Sequence, residues 1–171
     1  MTPEFSRPER LDTIGTAPRR VTIEADAAER ARLAARFGLL AVDRLAATLE
    51  VHREAAGIAV SGRVTAQVTQ ACTVSGEPLP AQVDEPVALR FVETLGGGGD
   101  EVELAVDALD TVEIEGGAID LGEAAAETMA LALDPFPRAP QAGEALRDAG
   151  VLGEEEEAGP FAALKALRDR L

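Results

Sequence analysis

Few residues in this chain have the types and spacing that chemistry uses. There is one thiol, Cys72, one imidazole, His52, and three carboxylates, Asp107, Asp110 and Asp120, that come nearest to forming a set. Nucleophilic catalysis needs a nucleophile, a base and a group that orients the base. His52 falls on the polar phase of a strand pattern, where an exposed or edge histidine is expected rather than a base. Cys72-Thr-Val-Ser75 is half of a metal-binding knuckle, but zinc takes about four ligands, usually Cys and His. One of each cannot close such a site, so Cys72 is expected to be a small buried thiol. The three aspartates match no cation-binding loop and read as a solvated acidic face. Gly96 to Gly99 lacks the Lys-Ser/Thr of a phosphate loop and runs into Asp100-Glu101, which would repel phosphate. It reads as a flexible linker. The expectation is no catalytic residue, no metal and no cofactor, hence not an enzyme.

The elements that would carry these residues follow from hydrophobic period. Val21-Thr22-Ile23 is a short strand signal. Asp26-Ala-Ala-Glu29 is a capping box, and Leu33 and Phe37 at i, i+4 extend it to a helix over 26–37 that Gly38 closes. From Leu45 the period becomes two. Leu45, Ala47, Leu49 and Val51, then Ile58, Val60, Val64, Ala66 and Val68, give an antiparallel pair around the Glu54–Gly57 turn. Ser75-Gly76-Glu77-Pro78 makes the next turn. Val87, Leu89 and Phe91 form a strand with Pro86 at its start. Val102, Leu104 and Val106, then Val112 and Ile114, supply further strand signals. Asp120-Leu-Gly-Glu123 repeats the capping-box pattern before a helix over 121–133, with Leu121, Ala125, Met129 and Leu133 on one face and Pro135 and Pro137 as its stop.

This pattern predicts an α+β fold: an antiparallel sheet over 45–114, open or curled into a partial barrel, packed against two main helices. Residues 1–137 form the domain. Residues 138–159, rich in Ala, Gly, Pro and Glu, read as a disordered acidic linker. Residues 160–171 read as an amphipathic tail helix with Phe161, Leu164, Leu167 and Leu171 at helical spacing, Pro160 at its first position and basic residues at its end. A helix that short must bury its stripe on its own domain or in a partner's groove.

Of the 171 residues 46% are hydrophobic and 3% aromatic, with no Trp or Tyr, so Val, Leu, Ile and five Phe must build the core. A single Cys excludes a disulfide-stapled secreted domain. The opening Met1-Thr-Pro-Glu-Phe-Ser-Arg lacks the basic start and apolar stretch of a signal peptide, and no apolar run approaches the roughly 18 residues of a membrane span. A cytoplasmic protein with no membrane partner is expected. The net charge is −15, of which residues 91–171, with 5 Lys+Arg against 19 Asp+Glu, carry −14. Such a field repels phosphate backbones and attracts basic partners.

Three stretches resemble the YceD family of large ribosomal RNA subunit accumulation proteins. Cys72-x-x-Ser75 with Glu77-Pro78-Leu79-Pro80 is similar to the family's Cys-x-x-Cys and polar-Pro turn. Ile119-Asp120-Leu121, running into Ala130-Leu131-Ala132-Leu133-Asp134-Pro135-Phe136-Pro137, resembles its Ile-Asp-Leu helix ending in Ala-Leu-Pro-x-x-Pro. The terminal Pro160-Phe161-Ala-Ala-Leu164-Lys-Ala-Leu167 is similar to its C-terminal segment, and Glu4-Phe5-Ser6-Arg7 is similar to alphaproteobacterial members. The resemblance implies a role in 23S rRNA accumulation and large-subunit assembly without enzymatic activity. Many relatives carry a second Cys where this chain has Ser75, and one or two more in the stretch that here reads Arg138-Ala-Pro140-Gln-Ala-Gly143. Any zinc site of theirs must be replaced here by ordinary packing.

The leading reading is a non-enzymatic ribosome-biogenesis factor that contacts a basic ribosomal protein or assembly factor of the large subunit. Direct rRNA contact is disfavoured by charge. Phe161, Leu164, Leu167, Asp120, Leu121 and Cys72 are the expected partner-binding residues. The alternatives are a structural interaction module unrelated to ribosomes, with the tail as its own lid, and a metal-dependent hydrolase using Asp107 or Asp120.

Overall fold

The computed structural model describes residues 3–93, 110–114 and 116–151. Its elements are β1 (Pro8–Arg10), a 3-10 turn (Leu11–Thr13), β2 (Arg19–Glu24), α1 (Ala27–Phe37), β3 (Ala41–Glu54), β4 (Gly57–Ala71), β5 (Pro78–Val92), β6 (Asp110–Glu113), β7 (Ala118–Asp120), α2 (Leu121–Ala132) and α3 (Ala142–Asp148). The fold is α+β. A five-stranded sheet has the order β2-β3-β4-β5-β6, and β1 pairs with β7 in a separate two-stranded sheet. Among the described residues the larger sheet is open, with β2 and β6 at its edges.

Local chemistry explains most of these elements. α1 starts on a capping box: the Asp26 side chain accepts from Glu29 N–H, and the Glu29 carboxylate accepts from Asp26 N–H. Gly38, at φ 65°, ends it in the left-handed conformation that glycine adopts without penalty. In β3 the register slips between Val42 and Arg44. That bulge resets the parity, so the buried series runs Val42, then Leu45, Ala47, Leu49 and Val51. The regular alternation is therefore legible only from Leu45, although the strand begins at Ala41.

β5 is longer than the sequence pattern indicates, and Pro86 lies in its interior instead of at its start. The reason is an edge of the strand that is unpaired there among the described residues. Val92 accepts from Ile114 N–H, so even-numbered residues of β5 turn their backbone groups towards β6. β6 reaches only Leu89 to Val92. Pro78, Pro80 and Pro86 are all even, so their missing N–H groups fall on that edge, where among the described residues no ladder runs beside them. β6 pairs parallel to β5, which makes the sheet mixed instead of wholly antiparallel. The strand signal at 102–106 lies outside the described residues.

The chain divides into two units. The first takes residues 1–70 and 80–135. Its core joins the inward residues of β3, β4 and β5 to Leu33 of α1 and Leu121, Ala125 and Met129 of α2, and both helices contact β3. The second takes residues 71–79 and 136–171. Residues 71–79 thus group with the segment after Pro135, across the 1–137 boundary that composition suggests. Within the stretch 138–159, residues 142–148 form α3, and Ala139 and Ala142 are buried against Cys72, Val74 and Leu79. Small side chains can close on a thiol there with little area each, which is why composition reads the stretch as linker.

Candidate functional site

Asp120 and Leu121, expected to bind a partner, stand at the start of α2, with Asp120 half-buried. Leu121 is fully buried. Asp120 is the N-cap of α2 and accepts from Gly122 N–H at 2.9 Å and Glu123 N–H at 3.1 Å. It also accepts from Arg7 N–H at 2.8 Å and from the Ser6 hydroxyl. Its oxygens therefore fasten the N-terminal segment to the second helix. Phe5 is fully buried beside them, and a Cβ on Gly122 would collide with the Phe5 carbonyl. Arg7 continues the latch with a two-pronged pair to Glu29 at 2.7 and 3.0 Å. That pair and the Asp26 N–H hold the Glu29 carboxyl below its ordinary range, against the opposing effect of burial. The second capping-box acid, Glu123, does not reach back to the cap. It pairs with Arg36 at 2.6 and 2.9 Å, and Arg36 also holds Glu4 at 2.9 Å. Nothing in the periodicity of residues 3–10 announces this latch, because β1 is three residues long and its anchors reach about 110 positions along the chain.

Cys72 is buried as expected, in a tight knuckle of the second unit. Its Sγ accepts from Ser75 N–H at 3.5 Å and from Ala139 N–H at 3.3 Å. Cys72 N–H donates to the Glu77 carbonyl, and Gly76, at φ 75°, closes the turn onto the Cys72 carbonyl. The Ser75 side chain, with the Ala139 and Ser75 N–H groups, pulls the thiol down to about 6. The residues around this sulfur do not fit zinc. Around it stand Ser75 and the apolar Ala139 and Ala142, and the chain has no second thiol to add. Among the described residues no group of three or more His, Cys, Asp or Glu stands ready for a metal. Asp107 lies outside the described residues, and Asp120 is saturated by its four donors. His52 shares a hydrogen bond through Nε2 with Glu54 at 3.1 Å along one strand, not a nucleophile–base pair.

What the first unit does present is a groove. About 940 Å³ of open space lies between the outer side of α2 and the β5–β6 edge. Its floor is apolar, with Val87, Leu89, Phe91 and Val112, and Leu131 stands at its wall with 87% of its surface exposed. Six carboxylates line it and no Lys or Arg does. Asp120 and Glu123 are tied back into the fold. Glu85, Asp110, Glu113 and Glu127 have no ion-pair partner among the described residues.

A family model described as large ribosomal RNA subunit accumulation protein YceD matches residues 60–168, well over half of the chain. The chain belongs to the YceD family. The match spans the Cys72 knuckle, both strands that floor the groove and the whole of α2. No curated protein and no solved structure matches the chain. Membership in YceD ties it to a ribosome-related role. No helix among the described residues is long and apolar enough to cross a membrane. Phe161, Leu164 and Leu167 lie outside the described residues.

Proposed function

We propose that this chain is a cytoplasmic, non-enzymatic factor that supports 23S rRNA accumulation and large-subunit assembly by contacting a basic ribosomal protein or assembly factor. The family match carries the ribosomal part of this reading. The charge distribution supports the protein partner: the C-terminal 81 residues hold nearly all of the excess negative charge, and four groove carboxylates lack an ion-pair partner among the described residues. Binding RNA directly calls for free cations at phosphate spacing. Of the arginines between positions 19 and 63, all but Arg20 already bond a carboxylate or a backbone carbonyl. Phe161, Leu164 and Leu167 supply a second contact, on the strength of their helical spacing.

The test is sedimentation of full-length tagged protein with ribosome precursors from cells, beside the ratio of large- to small-subunit rRNA in a deletion strain. Co-migration with large-subunit precursors and a reduced ratio on deletion are expected. Neither occurring would sink the proposal. Removing residues 154–171 then separates a partner motif, whose loss abolishes co-migration at unchanged stability, from a lid, whose loss lowers stability and leaves co-migration intact.

A further inference from the structure

We infer that the groove between α2 and the β5–β6 edge is the docking site for a basic amphipathic segment of another protein, its apolar side on the Leu131–Val112–Phe91 floor and its Lys or Arg residues against Asp110, Glu113 and Glu127. This inference rests on the function proposed above and names the surface through which it acts.

Three observations converge on that occupant. The first is sign. Every charged group lining the groove is acidic, and the four without an ion pair among the described residues, Glu85, Asp110, Glu113 and Glu127, stand on three different elements, β5, β6 and α2. An acidic partner or a nucleic acid would meet repulsion there, whereas a cationic one gains at each side. The second is the apolar wall. Leu131 is the most exposed large hydrophobic residue among those described, and Val112, also exposed, sits across the groove from it. Exposed apolar residues rimmed by charge mark interaction surfaces more often than chance. The third is the shortage of polar groups that would orient a small molecule. Thr128 Oγ1 donates to Ala124 O at 2.8 Å, leaving carboxylates as the groove's polar side chains. A surface made of an aliphatic floor and a carboxylate rim reads spacing and sign, which is what a basic segment with one apolar face offers.

Leu131 lies outside the core, so its substitution leaves the fold intact and isolates the surface. Full-length wild type, Leu131→Asp and the double variant Glu113→Gln/Glu127→Gln would each be titrated against individually purified basic large-subunit ribosomal proteins, by fluorescence anisotropy at low and moderate salt. At least one protein is expected to bind wild type. Leu131→Asp should weaken it tenfold or more at both salts, and the double variant should weaken it about threefold and flatten the salt dependence. Equal affinity for all three chains overturns the inference while the function stands. So does binding that responds to the glutamines but not to Leu131→Asp, which marks an unspecific charge effect. A wild-type dimer that Leu131→Asp dissolves would assign the groove to a second copy and also overturn it. Faster amide exchange confined to residues 160–171 in Leu131→Asp would do the same by assigning it to the chain's own tail. If no basic protein binds wild type, the inference fails. Whether the function fails with it is read from the separate co-migration experiment.

Discussion

The two sides of α2 are built from the same materials and end in opposite states. On the inner side, Leu121, Ala125, Ala126 and Met129 are buried, and at the start of the helix the carboxylates Asp120 and Glu123, which also line the groove, are bonded by the Ser6–Arg7 segment and by Arg36. On the outer side, Glu127 and Leu131 are exposed, across the groove from Asp110, Val112 and Glu113. Acid beside aliphatic is thus closed where the chain supplies its own basic segment. It stays open where the described chain supplies none. The inner side shows what the outer side is suited to receive: a backbone carrying arginine next to an apolar anchor, as Arg7 stands next to Phe5.

Truncation should separate the two sides most sharply. Met129→Ala removes a fully buried side chain and should lower unfolding free energy by about 3 kcal/mol, with a Tm drop to match. Leu131→Ala, two residues along, should stay within about 0.5 kcal/mol of wild type by the same denaturant titration. Similar losses at both positions would erase the distinction.

A second, smaller loss is expected at the latch. Asp120→Ala deprives α2 of its cap and the N-terminal segment of its anchor, which together should cost about 2 kcal/mol. Limited proteolysis should then cleave the first ten residues well before the sheet, and an unchanged digestion pattern would contradict the latch.

Acid should loosen the same side. Glu29 and Glu4 both titrate below their ordinary 4.5, Glu29 chiefly through Arg7 and Glu4 through a backbone N–H and Arg36. A carboxyl whose folded-state value is depressed contributes stability that is present above its unfolded value and is lost as pH falls through the folded one. Stability should therefore decline from about pH 4.5 downwards. Arg7→Gln should make that decline shallower, as followed by denaturant midpoints across pH.

The smallest effect belongs to the Cys72 knuckle. Its thiol is depressed to about 6, so its contribution is full above the unfolded value of 9.0 and fades as pH falls towards 6. The single Ser75 hydroxyl proton is also offered to Glu77, at 2.8 Å. Ser75→Ala should raise the thiol and Glu77→Gln should change it little or lower it, with ultraviolet thiolate absorbance as the readout.

The inner side was the more legible of the two in sequence. The capping box at Asp26 and the Leu121–Ala125–Met129 stripe depend on neighbours three or four residues apart, and period exposes them. The β3–β4 pair was readable from Leu45 onwards because its alternation is unbroken there, and unreadable before it because the bulge after Val42 shifts the parity. The latch escaped because Ser6 and the Arg7 backbone find Asp120 across more than a hundred residues. The parallel docking of β6 escaped for a similar reason, since pairing direction is a property of the path between strands and not of either strand. The groove is visible in sequence only as charge: Asp110 and Asp120 read as acids alike, but one stands on the rim and the other caps a helix.

The central claim is that the open side of α2 is where this YceD chain does its work on the large subunit. It is tested most directly in cells whose only copy carries Leu131→Asp, by the ratio of large- to small-subunit rRNA beside wild type and a deletion strain. The account predicts that the ratio falls to near the deletion value while the variant accumulates to wild-type level. A ratio equal to wild type, in a background where deletion lowers it, would contradict the account.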